Sequence, residues 1–371
     1  MPSREGFDPI MDIVEATEAY ETWAFAAIPK NRADLDRKHL AMATSAFPFL
    51  RATYYRWAQL WPKLCEDCND APRVLAVGDL HVENFGTWRD IEGRLVWGVN
   101  DFDEAHMAPY TLDLVRLAAS ALLAFEANQT EMARDRITDT ILAGYVKHLE
   151  GDARPFVLEE PNRWLRRLAF GEFRDPEPFW AKLNNLTPAD DTIPHKLRKH
   201  LEKRFPQQDL SLRFVHRTAG LGSLGRPRFV ALAPWHGSTI AREAKALLPS
   251  AWVWARDKPR KRIRYNDILA RAIRCPDPYA GAVDGWIIRR LAPDSVGIDL
   301  TALPKKKLED RLLMAMGSET ANIHLGTEGA GDAIRKDLNG RRRSWLERAA
   351  ETMADKLRED QAVWRASRTQ D

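Results

Sequence analysis

The sequence predicts an α+β protein of two lobes: a helix-rich lobe that carries an acidic loop, and a smaller antiparallel β-rich lobe that follows it in the chain. Three observations carry this reading. Short apolar runs bounded by turn residues occur near residues 73–99 and 212–233, and helical periodicity surrounds both. At 371 residues the chain exceeds the size at which one hydrophobic core stops growing. Its 44% hydrophobic and 29% charged residues are the composition of a globular chain rather than a disordered one.

Residues 10–64 read as helices, because Met42, Phe47, Phe49, Leu50, Tyr54, Trp57, Leu60 and Trp61 recur at helical spacing. Arg73 to Val77 is an apolar run that stops at Gly78, so a buried strand delivers the loop at Asp79. Phe85–Trp88 and Arg94–Val99 form two strands around the turn at Asp90–Gly93, with Asn100-Asp101-Phe102-Asp103 at the end of the second. After Pro109, Leu112–Glu126 and Arg134–Leu149 are amphipathic helices; Asp113 in the first turn suits a helix-dipole or loop-bracing carboxylate. Residues 151–205 are rich in Pro, Trp and Arg, and their Trp164, Phe170, Phe173, Phe179 and Trp180 are candidates for core or for the wall of an acceptor pocket.

A second β segment follows. Leu212–Arg217 alternates, Gly220-Leu221-Gly222-Ser223-Leu224-Gly225 is a glycine loop, and Arg228–Ala233 resumes the strand pattern. Trp286–Ile288 is a further strand, and 304–367 is helical again. The expected division is therefore a helix-rich catalytic lobe over 1–205, a β-rich glycine-loop lobe over 206–300, and helices over 301–371 that pack back on the first lobe.

Charge excludes little but is informative. With 56 basic and 53 acidic residues the net charge is +3, too balanced for a nucleic-acid surface. The basic clusters at 196–204, 256–264 and 341–343 read as solvated faces. Of the three cysteines, Cys65, Cys68 and Cys275, the first two have no second ligand pair for zinc, so a pair of reduced thiols at a helix end is expected there. No apolar run opens the sequence at Met1–Glu5 and none reaches membrane-spanning length, so a cytoplasmic protein without a membrane partner is expected.

The chemistry is concentrated in Gly78–Gly86 and Asn100–Glu104. Asp79 and Asn84 stand five positions apart, and an acidic cluster follows a strand later. Phosphoryl transfer needs such a set: one carboxylate to orient or deprotonate a hydroxyl, and an amide with a carboxylate to hold Mg²⁺. Asp79 takes the first role and Asn84 and Asp101 the second, with Asp103 in place of Asp101 or beside it. His81 is a substrate or metal contact, or a hydrogen-bonded structural histidine. Turn and cap chemistry is the plainer explanation for Asp79 and Asn84; the strand that leads in and the hairpin that leads out favour a site.

A lone GxGxxG is a weak signal. In a dinucleotide-binding unit the third glycine opens a helix, whereas Gly225 is followed by Arg226, Pro227 and a strand. That context suits a hairpin folded over a triphosphate, with Gly220, Gly222, Ser223 and Gly225 at the phosphates, although an ordinary β-turn uses the same residues. Lys245, on a following strand, is the phosphate-gripping lysine. Its carboxylate partner is open between Asp267 and Glu309, since Glu243 stands too near in sequence to act as a remote helix carboxylate. Asp79-Leu80-His81 also spells the DxH start of metal-dependent phosphoesterases, but their GDxxD and GNH motifs are absent from the sequence.

GDLHVENFG (Gly78–Gly86), NDFDEA (Asn100–Ala105) and DLVRLAAS (Asp113–Ser120) resemble a large bacterial family catalogued as a domain of unknown function. Weaker matches are SAFPFLRAT (Ser45–Thr53), GLGSLG (Gly220–Gly225), Lys245 through Ser250, WIIRRLAP (Trp286–Pro293) and ETANIHLG (Glu319–Gly326). At its motifs that family is related to the protein-kinase-like and aminoglycoside-phosphotransferase-like fold. The resemblance implies a two-lobed fold that uses ATP and Mg²⁺ to modify an unidentified hydroxyl acceptor, small molecules included, with Asp79, Asn84 and Asp101 in kinase-type roles. Because the glycine loop follows the catalytic loop, it also implies a circular permutation. Two departures stand out: Val77-Gly78 replaces the kinase His before the catalytic Asp, and Ala246 follows Lys245 where an acidic residue is expected. Nucleotidyl transfer, a phosphoesterase and a catalytically inactive nucleotide-binding regulatory module are the alternatives.

Overall fold

A computed structural model describes residues 11–129, 132–159, 161–170, 175–256, 263–297 and 308–369. The chain opens with α1 (Ile13–Phe25), α2 (Arg32–Thr44), α3 (Ala46–Ala52), α4 (Tyr54–Leu64) and the single turn α5 (Glu66–Asn69). A capping box starts α1, where the Asp12 carboxylate accepts from the Val14 and Glu15 N–H groups. Next come β1 (Arg73–Ala76), β2 (Phe85–Arg89), β3 (Leu95–Val99), β4 (His106–Pro109), α6 (Tyr110–Ala127), α7 (Arg134–Lys147), β5 (Phe156–Val157) and α8 (Arg163–Phe170). The helices α9 (Glu177–Asn184) and α10 (His195–Glu202) precede β6 (Arg213–His216), β7 (Arg228–Trp235) and β8 (Ser238–Ala246). The order closes with α11 (Ala251–Trp254), α12 (Tyr265–Arg271), β9 (Gly281–Val283), β10 (Trp286–Leu291), α13 (Leu308–His324), α14 (Ala330–Gly340) and α15 (Trp345–Ser367).

These strands make three antiparallel sheets: β1-β4, β2-β3-β5, and a five-stranded β6-β7-β8-β10-β9. The fold is thus mixed α+β, as the pattern of strand-like and helical runs predicts. The main strands and helices fall where periodicity places them. The strands β4, β5 and β9 escape a sequence reading, because two to four residues cannot display an alternation.

The main core surrounds α6. From Tyr110 to Phe125 every residue is buried, so this helix is enclosed on all sides rather than on one stripe, with Asp113 and Arg116 as its buried charges. α15 lies against it, and α13 lies against α7. The second crossing is a backbone contact: a methyl group added at Gly317 would stand 1.9 Å from the Ile141 carbonyl oxygen, and one at Gly144 would stand 2.0 Å from that of Met314. A buried Arg56–Asp360 ion pair of 2.6 Å also ties α4 to α15.

The five-stranded sheet has two faces. Phe214, Phe229, Ala244 and Ile288 meet Leu197 and Leu201 of α10 on one, while Val215, Val230, Leu232, Ala241 and Leu291 meet Leu183 of α9 on the other. After β10 the chain runs to β2: Thr87 N–H donates to Val296 O at 2.9 Å, and Thr87 Oγ1 donates to Asp294 O at 2.6 Å. That link fixes the distance between the sheet and the acidic hairpin.

Cys65, Cys68 and Cys275 are buried free thiols, and burial pushes the Cys65 and Cys68 thiols above their usual range. Among the described residues no helix is long and apolar enough to cross a membrane. Phe173 and residues 298–307 lie outside the described residues.

Candidate active site

β1 ends at Ala76, and the chain turns through Gly78, whose φ of +86° carries it into a conformation that favours glycine. The turn is held from below. Asp113, wholly buried in the first turn of α6, accepts from the Val77 N–H at 2.7 Å and the Gly78 N–H at 2.9 Å, and His324 of α13 bonds the same carboxylate at 3.0 Å. Of its two expected roles, Asp113 therefore serves as the loop brace.

One helical turn further along α6, Arg116 reaches Asp79. Its Nε donates to Asp79 Oδ1 at 2.9 Å, its Nη2 bonds the same oxygen, and Nη2 also donates to Leu50 O at 2.9 Å. The guanidinium packs near the Tyr54 and Trp57 rings, 5.0 and 4.9 Å from their centroids. Asp79 is thus oriented through one oxygen, with Oδ2 turned toward the glycine loop. Burial pushes its carboxyl above the ordinary range; Arg116 opposes this, and Asp103 and Asp101 add to it.

Val82–Asn84 is a single 3₁₀ turn in which Asn84 Oδ1 accepts from the His81 N–H at 2.7 Å and His81 Nδ1 accepts from the Glu83 N–H at 3.2 Å. Burial, then the nearby Arg51 and Arg116, hold the His81 imidazole well below its usual pKa, so it is neutral. This geometry fits the hydrogen-bonded structural histidine among the readings of His81.

Asp101 and Asp103 meet Lys245 of β8. The ammonium lies 3.0 and 2.9 Å from the two oxygens of Asp101 and 3.1 Å from Asp103 Oδ2. Neither Asp267 nor Glu309 is its partner: Arg264 bonds Asp267 at 2.9 Å, and Lys245 is held by the acidic motif itself. Burial and the Asp103 charge raise the Asp101 carboxyl. Against burial, Lys245 and Arg226 hold Asp103 well below the usual carboxylate range. Asp101 is also the more open of the two, its side chain 36% exposed against 13%.

The glycine loop closes over these groups. A methyl group at Gly222 would stand 2.9 Å from Arg51 O and 3.5 Å from Asp79 Oδ2, so the loop backbone lies directly on the acidic loop. Ser223 Oγ accepts from Arg228 Nη2 at 2.8 Å and donates to Gly220 O at 3.2 Å. Gly225 takes a different position from the one expected. It does not line the cleft; it packs on Leu35 and Phe25, and its carbonyl accepts from the Asn31 N–H at 3.0 Å, which seats the loop on α1 and α2.

A cavity of about 330 Å³ lies between the two parts, lined by Asp79, His81, Asn84, Asp101, Asp103 and the loop from Gly220 to Ser223. Of the aromatic residues between 151 and 205, Phe179 reaches it. The cavity also exposes charges that sequence reasoning passes over. Arg226 ties the end of the glycine loop to the acidic motif and α1, bonding Asp103 at 3.1 Å, Tyr20 OH at 3.2 Å and Glu104 at 3.5 Å. Glu104 in turn accepts from the Ala251 N–H at 2.6 Å, and burial, relieved by Arg226, raises its carboxyl to about 7. Glu243 gathers Arg217, Arg228 (3.1 Å) and Arg289 (2.7 Å). A sequence signal existed for Arg116, which follows Asp113 at the i, i+3 spacing of one helix face, and for Glu243, which precedes Lys245 at the i, i+2 spacing of one strand face. Among the described residues no group of three or more His, Cys, Asp or Glu side chains is arranged to hold a metal ion.

Residues 31–172 match the profile of a family described as an uncharacterized protein conserved in bacteria (DUF2252). The matched span contains Asp79, Asn84, Asp101, Asp113 and Arg116, and ends before the glycine loop. No curated protein and no solved structure matches the chain.

Proposed function

We propose that this chain is an ATP- and Mg²⁺-dependent phosphotransferase with a circularly permuted, kinase-like arrangement, acting on a hydroxyl acceptor. The observation that carries it is the Lys245 ammonium 2.9 Å from Asp101 and 3.1 Å from Asp103, beneath a glycine loop that rests on Asp79. Protein kinases use the same parts: a glycine loop joining the first two strands of a sheet, a lysine on the third, and an Asp and an Asn for metal. Here the loop joins β6 and β7, and Lys245 lies on β8.

The donor set fits Mg²⁺, which takes one or two carboxylates and completes its shell with phosphate oxygen and water. Asp101, the more open carboxylate, would be the principal ligand, with Asp103 and the Asn84 side chain, which line the same cavity, completing the set. When bound, the cation neutralises charge on the transferring group and its leaving group. Asp79, fixed through Oδ1 by Arg116, offers Oδ2 to the acceptor hydroxyl as orienting group and base. Lys245 supplies the positive charge for phosphate oxygens once the two carboxylates are engaged elsewhere.

The test is titration of the full chain with ATP, with and without Mg²⁺. Binding that requires Mg²⁺ and disappears in Asp101→Ala is expected. Failure of any nucleotide to bind sinks the proposal, and two tightly bound transition metals would favour the phosphoesterase reading of Asp79-Leu80-His81. Tight binding without turnover of ATP or of any acceptor would favour the inactive module.

A further inference from the structure

The roof of the cavity is one face of the five-stranded sheet, and that face is divided. Near the glycine loop it is ionic. Arg228 stands opposite Lys245, and Arg289 opposite Glu243, in antiparallel register that sets both pairs on the same side. Arg217 joins them from the stem of the loop. Glu243 is 1% exposed, and against burial the guanidiniums of Arg228, Arg289 and Arg217 hold its carboxyl well below the usual range. One buried anion therefore fixes three guanidiniums in place, and Arg217, Arg228 and Arg289 all line the cavity.

Away from the loop the same face is apolar, through Val230, Leu232, Ala241 and Leu291, and it is already covered by Leu183 of α9 with Phe179 and Trp180 at the edge. A nucleobase is a flat, largely apolar plate that needs apolar or aromatic walls. Of that apolar part the edge at Leu291 and Phe179 opens into the cavity and the remainder is covered, whereas the rest of the open roof carries charge through Arg217, Arg228, Arg289 and Arg290. A phosphate chain fits that open part, because arginine forks bind phosphate oxygens in pairs and are rigidly held here.

From these positions we infer that a nucleoside triphosphate binds with its outer two phosphates under Arg217, Arg228 and Arg289, and its base toward the apolar edge at Leu291 and Phe179. The phosphorus beside Asp79 is then the α phosphorus, and the group transferred is the nucleotidyl group. The acceptor oxygen forms a bond to the α phosphorus while the bond from that phosphorus to the α–β bridging oxygen breaks. Pyrophosphate leaves with that electron pair into the arginine cluster, and the hydroxyl proton passes to Asp79. This rests on the reading of the site as a nucleotide-using transferase and specifies which phosphorus it attacks.

Two measurements on the full chain test it. In competition binding with Mg²⁺ present, inorganic pyrophosphate is expected to displace ATP and adenosine is not; Arg217→Gln and Arg289→Gln each weaken pyrophosphate by about tenfold, with unchanged circular dichroism. In transfer assays with α-labelled or γ-labelled ATP, the label reaching the chain or lysate acceptors is expected from the α position. Displacement by adenosine but not pyrophosphate, or transfer of γ label, overturns the orientation and leaves the phosphotransferase reading intact. Absence of nucleotide binding removes both, and the binding measurement decides the orientation even where no acceptor is labelled.

Discussion

Replacing Asp113 by Ala tests whether the acidic loop is held by α6. The wild-type carboxylate accepts from the Val77 and Gly78 N–H groups and from His324, all in a wholly buried environment. The variant leaves two backbone donors without a partner and out of reach of water. Each such donor costs about 1–3 kcal/mol, so the two together cost about 2–6 kcal/mol before any cavity is counted, a large part of the roughly 5–15 kcal/mol that stabilises a domain. Equilibrium urea unfolding, followed by the fluorescence of the thirteen tryptophans, measures it. With a slope of about 3 kcal/mol/M the midpoint falls by about 1–2 M. Asp113→Asn keeps one acceptor oxygen and is expected to lose about half as much. An Ala variant whose midpoint matches the wild type would show that the loop is positioned by other contacts and that the brace is incidental.

Other outcomes are equally specific. Burial raises the Glu319 carboxyl from its ordinary 4.5 to about 7, so the neutral form is favoured in the folded state. Its contribution to stability is complete below about pH 4.5 and is lost as pH rises through about 7. Glu319→Gln should therefore gain stability on the wild type between about pH 5 and pH 8, by up to about 3 kcal/mol; a constant difference in urea midpoints across that range would refute it. Gly317→Ala forces α7 and α13 apart, since its methyl group meets Ile141 O at 1.9 Å, and should cost about 2–3 kcal/mol in thermal or urea unfolding. Gly222→Ala must lift the glycine loop off Arg51 O; nucleotide affinity should fall about tenfold while stability changes by less than about 1 kcal/mol, and unchanged affinity would separate the loop from the nucleotide.

How much of this could be read from the sequence depends on the range of the interaction. β1, β2, β3, β6 and β7 and the long helices declare themselves through local periodicity, and the acidic loop through spacing within a few residues. The lysine's partner did not, because Asp101 and Lys245 are 144 residues apart and nothing local in either segment refers to the other. The same holds for Gly225: its sequence context matches that of Gly220 and Gly222, and only the packing of Leu35 and Phe25 turns it from phosphate contact into seat. Arginine is the residue type most often overlooked. Arg217, Arg226, Arg228 and Arg289 look like ordinary surface charges in a chain with 56 Lys and Arg, and acquire meaning through the carboxylates that the fold brings to them.

The placement of α13 and α15 against α7 and α6 bears on when in synthesis the candidate site can form. His324 meets Asp113 across 211 residues, and Asp360 meets Arg56 across 304. During synthesis α6 therefore emerges with its apolar surface uncovered, and the helices that complete its surroundings are made last. Such long-range closure slows folding and leaves the nascent chain dependent on protection from association. A chain interrupted before α13 would contain every candidate catalytic residue and still have no place to hold them.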